Sequence, residues 1–385
     1  MAKIDDQNQK DALPCVVYSH SYADWDLPSA RHKYLMTAVS ETTPVFYLNC
    51  APHLSRLFNV PKPVDEVARP NLVVIRNSYG LRRSRWARLR WTRKIASVID
   101  ARRLEAIFKK HGAREILLWV AMPSEELIDD LKFQHLVYDC IDPSFNTATQ
   151  DLYDRNEYSI AQRAHLVFCT AQSLLERLQP HNARTFLIPN ACCYEEYAPE
   201  LNEEIPRPAQ LDEIKTPIIG FSGHIDGRVD LELLETTVRR LSQYTFVFAG
   251  GVRDDRKKEF APIAQLPNVI SLNTVSVEEN RQWVKAFDVG LIPFKPGEAN
   301  DCLNTVKMWM YFAAGKPVVS TDLRESRLHE PFVHVAKNND EFEAAIVRAV
   351  EDDSPSQIEA RLEFARRNTW QHRADRVLEL LHRHL

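Results

Sequence analysis

The stretch NTVKMWMYFAAGKPVVSTD, Asn304 to Asp322, puts a lysine where a helix would not choose one. Asn304 and Thr305 can cap a helix that begins near Val306. Lys307 then falls in the first turn, where a positive charge opposes the helix dipole. Helix stability does not explain that choice, but an anion held against the free N–H groups of the first turn would. Gly315 ends the helix and Pro317 opens the next apolar run. Upstream, PIIGFSG (217–223) ends in Gly220, Ser222 and Gly223, and His224 and the helical segment DLELLE follow closely. A glycine turn feeding a helix N-terminus offers backbone N–H groups to a phosphate. Arg228 and His224, in the same loop, add positive charge. Each residue also has a bland explanation: glycine suits any tight strand-to-helix turn, and Lys307 and Arg228 can be solvated.

The elements that must carry these residues are legible in the pattern of apolar runs. PCVVYSH (14–20), TPVFYLN (43–49), NLVVIRN (71–77), EILLWVA (115–121), HLVYDCI (135–141), HLVFCT (165–170) and TFLIPN (185–190) form one series. PIIGFSG (217–223), TFVFAGG (245–251), NVISLN (268–273), VGLIPF (289–294), PVVST (317–321) and FVHVA (332–336) form a second. Strands that are apolar without alternation, separated by helical stretches, belong to parallel sheets covered on both faces. The expected fold class is α/β, with two Rossmann-like doubly wound domains facing a cleft that receives the C-terminal ends of their strands. The expected divisions are an acceptor-side domain over 1–200, an acidic, proline-bearing linker over 201–216, and a second domain over 217–355. A helical stretch over 356–385 is expected to cross back to the first domain with an apolar face at Leu362, Ala365, Trp370, Ala374, Val377 and Leu380-Leu381.

Composition narrows the classes. The chain has 385 residues, 44% hydrophobic and 26% charged, with a net charge of −4. That size suits two cores, and the charge gives no reason to expect nucleic acid. Seven cysteines show no C-x-x-C spacing, which argues for reduced, buried thiols in a cytoplasmic protein; the Cys192-Cys193 pair reads as a loop feature. The polar N-terminus carries no signal-peptide pattern, and no apolar run approaches the ~20 residues that span a bilayer. RRSRWARLRWTRK (82–94) holds seven basic residues and two tryptophans. It reads either as a solvated helix face or as a peripheral contact with an anionic membrane surface.

The run VKMWMYFAAGKPVVSTDL is similar to the donor-site segment of GT-B glycosyltransferases, in the broad group around family 4. IIGFSGHIDGRVDLELLE resembles the strand, loop and helix that open their nucleotide-binding domain, and FDVGLIPF the strand before the donor segment. HLVYDCIDPSF, AHLVFCTAQSL, FLIPNACCYEEY and HSYADWDLPSARHKYLM resemble first-domain segments of the group, in the same order. Two glutamates usual in that family stand here as Cys302 and Met310. A methionine is a poor hydrogen-bond acceptor, so a ribose contact must come from elsewhere, with Asn304 a candidate.

The resemblance implies a hexosyltransferase-type enzyme. It would use a UDP- or GDP-linked nucleotide sugar as substrate and no separate cofactor. Its acceptor would be a saccharide or a polyprenyl-linked molecule, in surface polysaccharide or glycoconjugate synthesis. Gly223, His224, Arg228, Asn304, Thr305, Val306 and Lys307 are the expected donor-binding residues. Lys307 and the Thr305 hydroxyl would hold the diphosphate, with no acidic cluster in a suitable loop to hold a metal, so transfer is expected to be metal-independent. On the acceptor side Asp142, His20 and Asp26 are the candidates. Asp142 ranks first as general base, although it can equally form a turn before Pro143; Asp139 is expected inside its strand. The likeness to family 4 implies retention, whereas a base at Asp142 implies inversion, and both stay open. The alternative reading is a GT-B-shaped binding or scaffold protein that lost catalysis with Cys302 and Met310. The expected location is the cytoplasm, peripheral at the inner face of the plasma membrane.

Overall fold

The computed structural model describes residues 13–19, 24–26, 31–49, 62–78, 90–123, 126–142 and 150–385. The chain divides into two compact units, Met1–Ile188 with Arg373–Leu385, and Pro189–His372.

The first unit is built on an eight-stranded sheet. Its strands are β1 (Cys15–Ser19), β2 (Val45–Leu48), β3 (Val64–Arg69), β4 (Leu72–Arg76), β5 (Ile116–Val120), β6 (His135–Cys140), β7 (Leu166–Cys169) and β8 (Thr185–Leu187), in the order β3-β4-β2-β1-β5-β6-β7-β8. Helices α1 (Arg31–Val39), α2 (Arg90–Lys110), α3 (Gln150–Arg163) and α4 (Gln172–Leu178) connect them. Seven strands fall on the expected apolar runs and run parallel. β5 reads ILLWV and is buried along its whole length, as a strand covered on both faces must be. β3 is the addition. It reads VDEVAR, is largely exposed, and pairs antiparallel with β4 at the sheet edge. A polar edge strand has no apolar run to announce it; here its charges are answered by Lys110 on Asp65 (2.7 Å) and Arg76 on Glu66 (3.1 Å).

The second unit opens with the short α5 (Tyr194–Tyr197) and then holds a fully parallel six-stranded sheet. The strands β9 (Ile218–Ser222), β10 (Thr245–Ala249), β11 (Val269–Leu272), β12 (Val289–Ile292), β13 (Val318–Thr321) and β14 (Val333–Ala336) take the order β11-β10-β9-β12-β13-β14. The order reverses between β9 and β12, and such a reversal leaves a crevice at the carboxyl ends of the strands. The helices between them are α6 (Leu231–Arg240), α7 (Lys257–Ala264), α8 (Val277–Ala286), α9 (Glu298–Asp301), α10 (Val306–Ala313), α11 (Arg324–Arg327) and α12 (Asn339–Glu351). Several start on designed caps: Asp230 accepts from the Leu233 N–H for α6, and Ser276 with Glu279 closes a capping box for α8.

The stretch 201–216 is fastened to this second unit. Leu211 is buried, and the Lys285 ammonium of α8 donates to the carbonyls of Asn202 (2.7 Å), Glu203 (3.1 Å) and Ile205 (3.1 Å). The helical C-terminal stretch is two helices, α13 (Pro355–Arg366) and α14 (Trp370–His384). The break falls where Thr369 bridges to Cys192 and the Cys192 N–H donates to the Asn368 carbonyl. The Cys192 thiol is buried and bonded to the carbonyls of Ala365 (3.0 Å) and Asn368 (3.3 Å), which accounts for it structurally. From Arg373 onward α14 belongs to the first unit, where the His384 ring meets Phe186 at 5.3 Å. Val377, Leu380 and Leu381 are buried there.

Leu381 has no solvent exposure, so Leu381→Ala leaves a cavity and should cost about 2–5 kcal/mol. Urea unfolding followed by circular dichroism checks this; a loss under about 0.5 kcal/mol would mean that the end of α14 is not part of a core.

Candidate functional site

In the second unit, β9 delivers its chain to Gly223, whose φ of +131° suits glycine alone. A Cβ at Gly223 would sit 3.0 Å from the Lys307 Nζ. β10 delivers Gly250 beside it. A Cβ there would fall 2.3 Å from the Gly223 carbonyl oxygen, so the two loops touch by backbone. At Gly251 a Cβ would meet the His224 ring at 3.1 Å and the Thr274 hydroxyl at 2.9 Å. The result is a floor of main chain, with the Lys307, His224 and Thr274 side chains lying against its glycines.

α10 faces this floor with its N-terminus. Thr305 is its N-cap with extended backbone, yet the Thr305 hydroxyl makes no cap bond. The leading N–H groups, from Val306 and Lys307, have no partner within the helix. The Lys307 ammonium lies between two aromatic faces, 4.3 Å from the Phe221 centroid and 4.7 Å from that of Phe294. Among the described residues it has no hydrogen-bond partner. Burial pushes its pKa down to about 7, and the nearby Arg228 pushes the same way against the pull of Asp226. The two rings counter part of that penalty, since a cation over an aromatic face gains about 0.5–2 kcal/mol. Arg228 stacks over Phe294 at 5.5 Å and is itself bonded to Asp226. Burial would raise the Asp226 pKa, but the Arg228 hydrogen bonds and charge, with Lys307, hold it below the ordinary value. That leaves Asp226 spoken for, and the positive charge at Lys307 without a bonded counter-ion.

The structure thus brings Gly223, Arg228 and the Lys307 ammonium together; Thr305 and Val306 precede Lys307 at the start of α10. His224 is exposed at the same loop, its Nδ1 3.3 Å from the Gly251 carbonyl oxygen. An open hollow of about 360 Å³ lies beyond it, lined by Gly251, Val252, Lys257, Phe260 and Thr274 among others. Asn304 differs from expectation. It is buried; its Oδ1 accepts from the Asn190 N–H (3.1 Å) and the Trp309 Nε1 (2.8 Å), and its Nδ2 donates to Glu325 (2.9 Å). It is placed to fasten the start of α10 rather than to face a ligand. Met310 is buried on the inner side of α10. Phe221 and Phe294, which flank the lysine, have no mark in the sequence beyond ordinary strand-end apolarity.

In the first unit, Asp142 is exposed in a bend after β6. Asp26 is exposed in a turn and bonded by both oxygens to Arg76, whose hydrogen bonds and charge keep its carboxyl below the ordinary value. A carboxylate so held is a weaker proton acceptor. His20 and residues 82–89 of the basic stretch lie outside the described residues. Asp139 is inside β6 as expected, and its partner is Arg31: the guanidinium reaches both carboxylate oxygens (3.2 and 2.9 Å) and the Ile188 carbonyl (2.9 Å). Both side chains are almost fully buried, which makes this pair a support of the sheet rather than a substrate contact.

Comparison with known proteins is consistent with this geometry. Residues 216–352, which contain β9 to β14 and the whole Gly223–Lys307 site, match the family "Glycosyl transferases group 1". TuaH of Bacillus subtilis (strain 168), which carries the name of a teichuronic acid biosynthesis glycosyltransferase, is 24% identical over 273 residues, covering 66% of this chain and 68% of its own. A solved structure from E. coli, named for trehalose-6-phosphate and bound with UDP-2-fluoro glucose, superposes with a TM-score of 0.71 at 11% identity, covering 97% of this chain and 100% of that one. Sucrose-phosphate synthase from Thermosynechococcus elongatus superposes with a TM-score of 0.68 at 16% identity, over 96% of this chain and 98% of that one. At these identities the likeness to the solved structures is one of fold, the GT-B fold.

Lys307→Met should stabilise the ligand-free protein. With a folded pKa of about 7 against 10.5 for an ordinary lysine, the unfolded chain holds more protons between those values, so the unmodified protein gains stability as pH rises through that window. The advantage of Lys307→Met is therefore greatest at or below neutral pH and shrinks toward pH 10.5. Urea unfolding at the two ends of the window measures it; an advantage that does not change with pH would mean that Lys307 is charged throughout.

Proposed function

We propose that this chain, whose residues 216–352 form a group 1 glycosyltransferase domain, transfers a hexosyl group from a UDP- or GDP-linked sugar to a saccharide or polyprenyl-linked acceptor in surface polysaccharide synthesis. The observation that carries the proposal is the Lys307 ammonium, pressed against Gly223 at the helix N-terminus with no hydrogen-bond partner among the described residues. A half-buried cation with no bonded counter-ion among the described residues, at the N-terminus of a helix, costs stability and is explained by the anion it awaits. In this reading the diphosphate lies between Gly223 and the start of α10, and the Thr305 hydroxyl donates to it. The nucleoside extends past His224 toward the hollow beside Gly251. As the bond from the anomeric carbon to the diphosphate oxygen breaks, the electron pair leaves with the diphosphate. Lys307, Arg228 and the N–H groups are in place before that charge develops, so they need no rearrangement to stabilise it and no metal to share it. Asp142 takes the acceptor hydroxyl's proton if the reaction inverts. The polysaccharide context takes support from the name of the Bacillus relative.

A second reading keeps donor binding without transfer. It is favoured by one observation: Met310 is buried on α10 where the family resemblance expects a carboxylate. Isothermal titration with UDP and GDP, followed by assay of sugar release from a panel of nucleotide sugars, separates the two. We expect Lys307→Ala to weaken diphosphate binding by about 1.5–3 kcal/mol; an unchanged affinity in a folded variant would remove the diphosphate from this position.

We further propose a peripheral location at an anionic membrane. No helix among the described residues is long and apolar enough to cross one. The support is Trp91, 62% exposed, and Ile95, 45% exposed, one turn apart at the start of α2 beside Arg93 and Lys94. Apolar side chains flanked by cations suit the headgroup boundary. Replacing Trp91 and Ile95 together by serine should lower partition onto phosphatidylserine vesicles at least tenfold, as losing two buried apolar side chains implies (about 1.5 kcal/mol or more each). Equal sedimentation of both proteins with the vesicles, or of neither, would return this face to solvent.

A further inference from the structure

The second sheet opens at the crevice. β9 and β12 pair only at Ile219 with Val289 and Gly220 with Gly290, whereas β9 stays paired with β10 through Ser222. The Gly223 N–H points to β10, on the Ala249 carbonyl (2.9 Å). The preceding N–H, that of Ser222, therefore points toward β12, where no strand meets it. It donates instead to the phenol oxygen of Tyr311 (2.9 Å). Tyr311 lies on α10, one turn beyond Lys307 and on the same side of the helix. Its ring occupies the space over Gly290, where a Cβ would come within 2.4 Å of it. On the strand side the Ser222 hydroxyl donates to the Asn280 Oδ1 (2.5 Å), and the Asn280 Nδ2 donates to the Tyr197 hydroxyl (3.0 Å).

Two pieces of chain must therefore keep their spacing for an anion to fit: the end of β9, which carries Gly223, and the start of α10, which carries Lys307. The Tyr311–Ser222 bond joins these two pieces across the open end of the sheet. An ordinary core aromatic would give the same packing over Gly290 without reaching a main-chain donor. We propose that Tyr311 is a positioning residue, whose hydrogen bond to the Ser222 N–H sets the separation between Lys307 and the Gly223 loop at which a diphosphate is held. The inference rests on the donor reading above and adds to it a residue that touches no donor.

Tyr311→Phe keeps the ring and removes only the bond. Titration calorimetry with UDP and with uridine should show a roughly three- to tenfold weaker UDP affinity, the worth of one hydrogen bond, and an unchanged uridine affinity. In a Lys307→Ala background, Tyr311→Phe should add no further loss, because it acts through that lysine. A variant that merely loosens the core would weaken uridine and UDP alike and would add to Lys307→Ala. Either result overturns the proposal while leaving the donor reading intact. Failure of the unmodified protein to bind UDP or GDP at all overturns both. Should Tyr311→Phe not fold, amide exchange at Ser222 in the unmodified protein replaces it: the proposal expects slower exchange of this N–H when UDP is bound than when uridine is, and equal exchange in the two complexes overturns it.

Discussion

A lysine ammonium held between two phenyl rings and against a glycine, with no acceptor bonded to it among the described residues, is the constraint around which the second unit is organised. Lys307 rests against Gly223, where a Cβ would come within 3.0 Å of its nitrogen and where the φ of +131° itself calls for glycine. Gly223 keeps its backbone course only if Gly250 has no side chain, since a Cβ would lie 2.3 Å from its carbonyl oxygen. The rings of Phe221 and Phe294 supply some compensation, and the nearby carboxylate of Asp226 is occupied by Arg228. The half-buried lysine charge lowers the stability of the empty protein, and the rings offset it only in part. Together these features make sense as a site prepared for a multiply charged anion.

The frame that delivers these residues is ordinary by comparison. Each unit carries its own sheet, parallel apart from the edge strand β3, and in the second sheet the reversal of strand order opens a crevice at the carboxyl ends of its strands. Helix α10 is fixed at both ends. Asn304 ties its start to Asn190 and Glu325, and Gly315, with φ of +70°, closes its end and passes its carbonyl to Arg361 (2.9 Å). A helix held in this way can present a charge without drifting from it. In the first unit the buried Arg31–Asp139 pair has a comparable structural duty, joining α1 to β6 and to the end of β8 through the Ile188 carbonyl.

Much of this was legible in the residues, and the exceptions have physical reasons. Continuous apolar runs announced the thirteen parallel strands, because strands buried on both faces leave no room for alternation. β3 escaped notice because an exposed edge strand can be polar, and VDEVAR is. Lys307 stood out because its charge opposes the dipole of its own helix, and Gly223 because it ends a buried strand. Asn304 misled: amide chemistry suits a ribose and a helix start equally, and only the positions of Asn190, Trp309 and Glu325 decide between them. Phe221, Phe294 and Tyr311 could not be singled out, since an aromatic residue beside a strand or inside an apolar helix reads as core until its neighbours are known. Asp139 was placed correctly inside its strand, but its partner Arg31, over a hundred residues away, is visible only in three dimensions.

Hydrogen–deuterium exchange of the unmodified protein with and without saturating UDP or GDP tests the central claim most directly. If the diphosphate lies between Gly223 and the start of α10, the amides of 223–228 and 305–308 should exchange more slowly in the complex. Nucleotide binding that leaves both segments unprotected, or protects segments of the first unit instead, would contradict it.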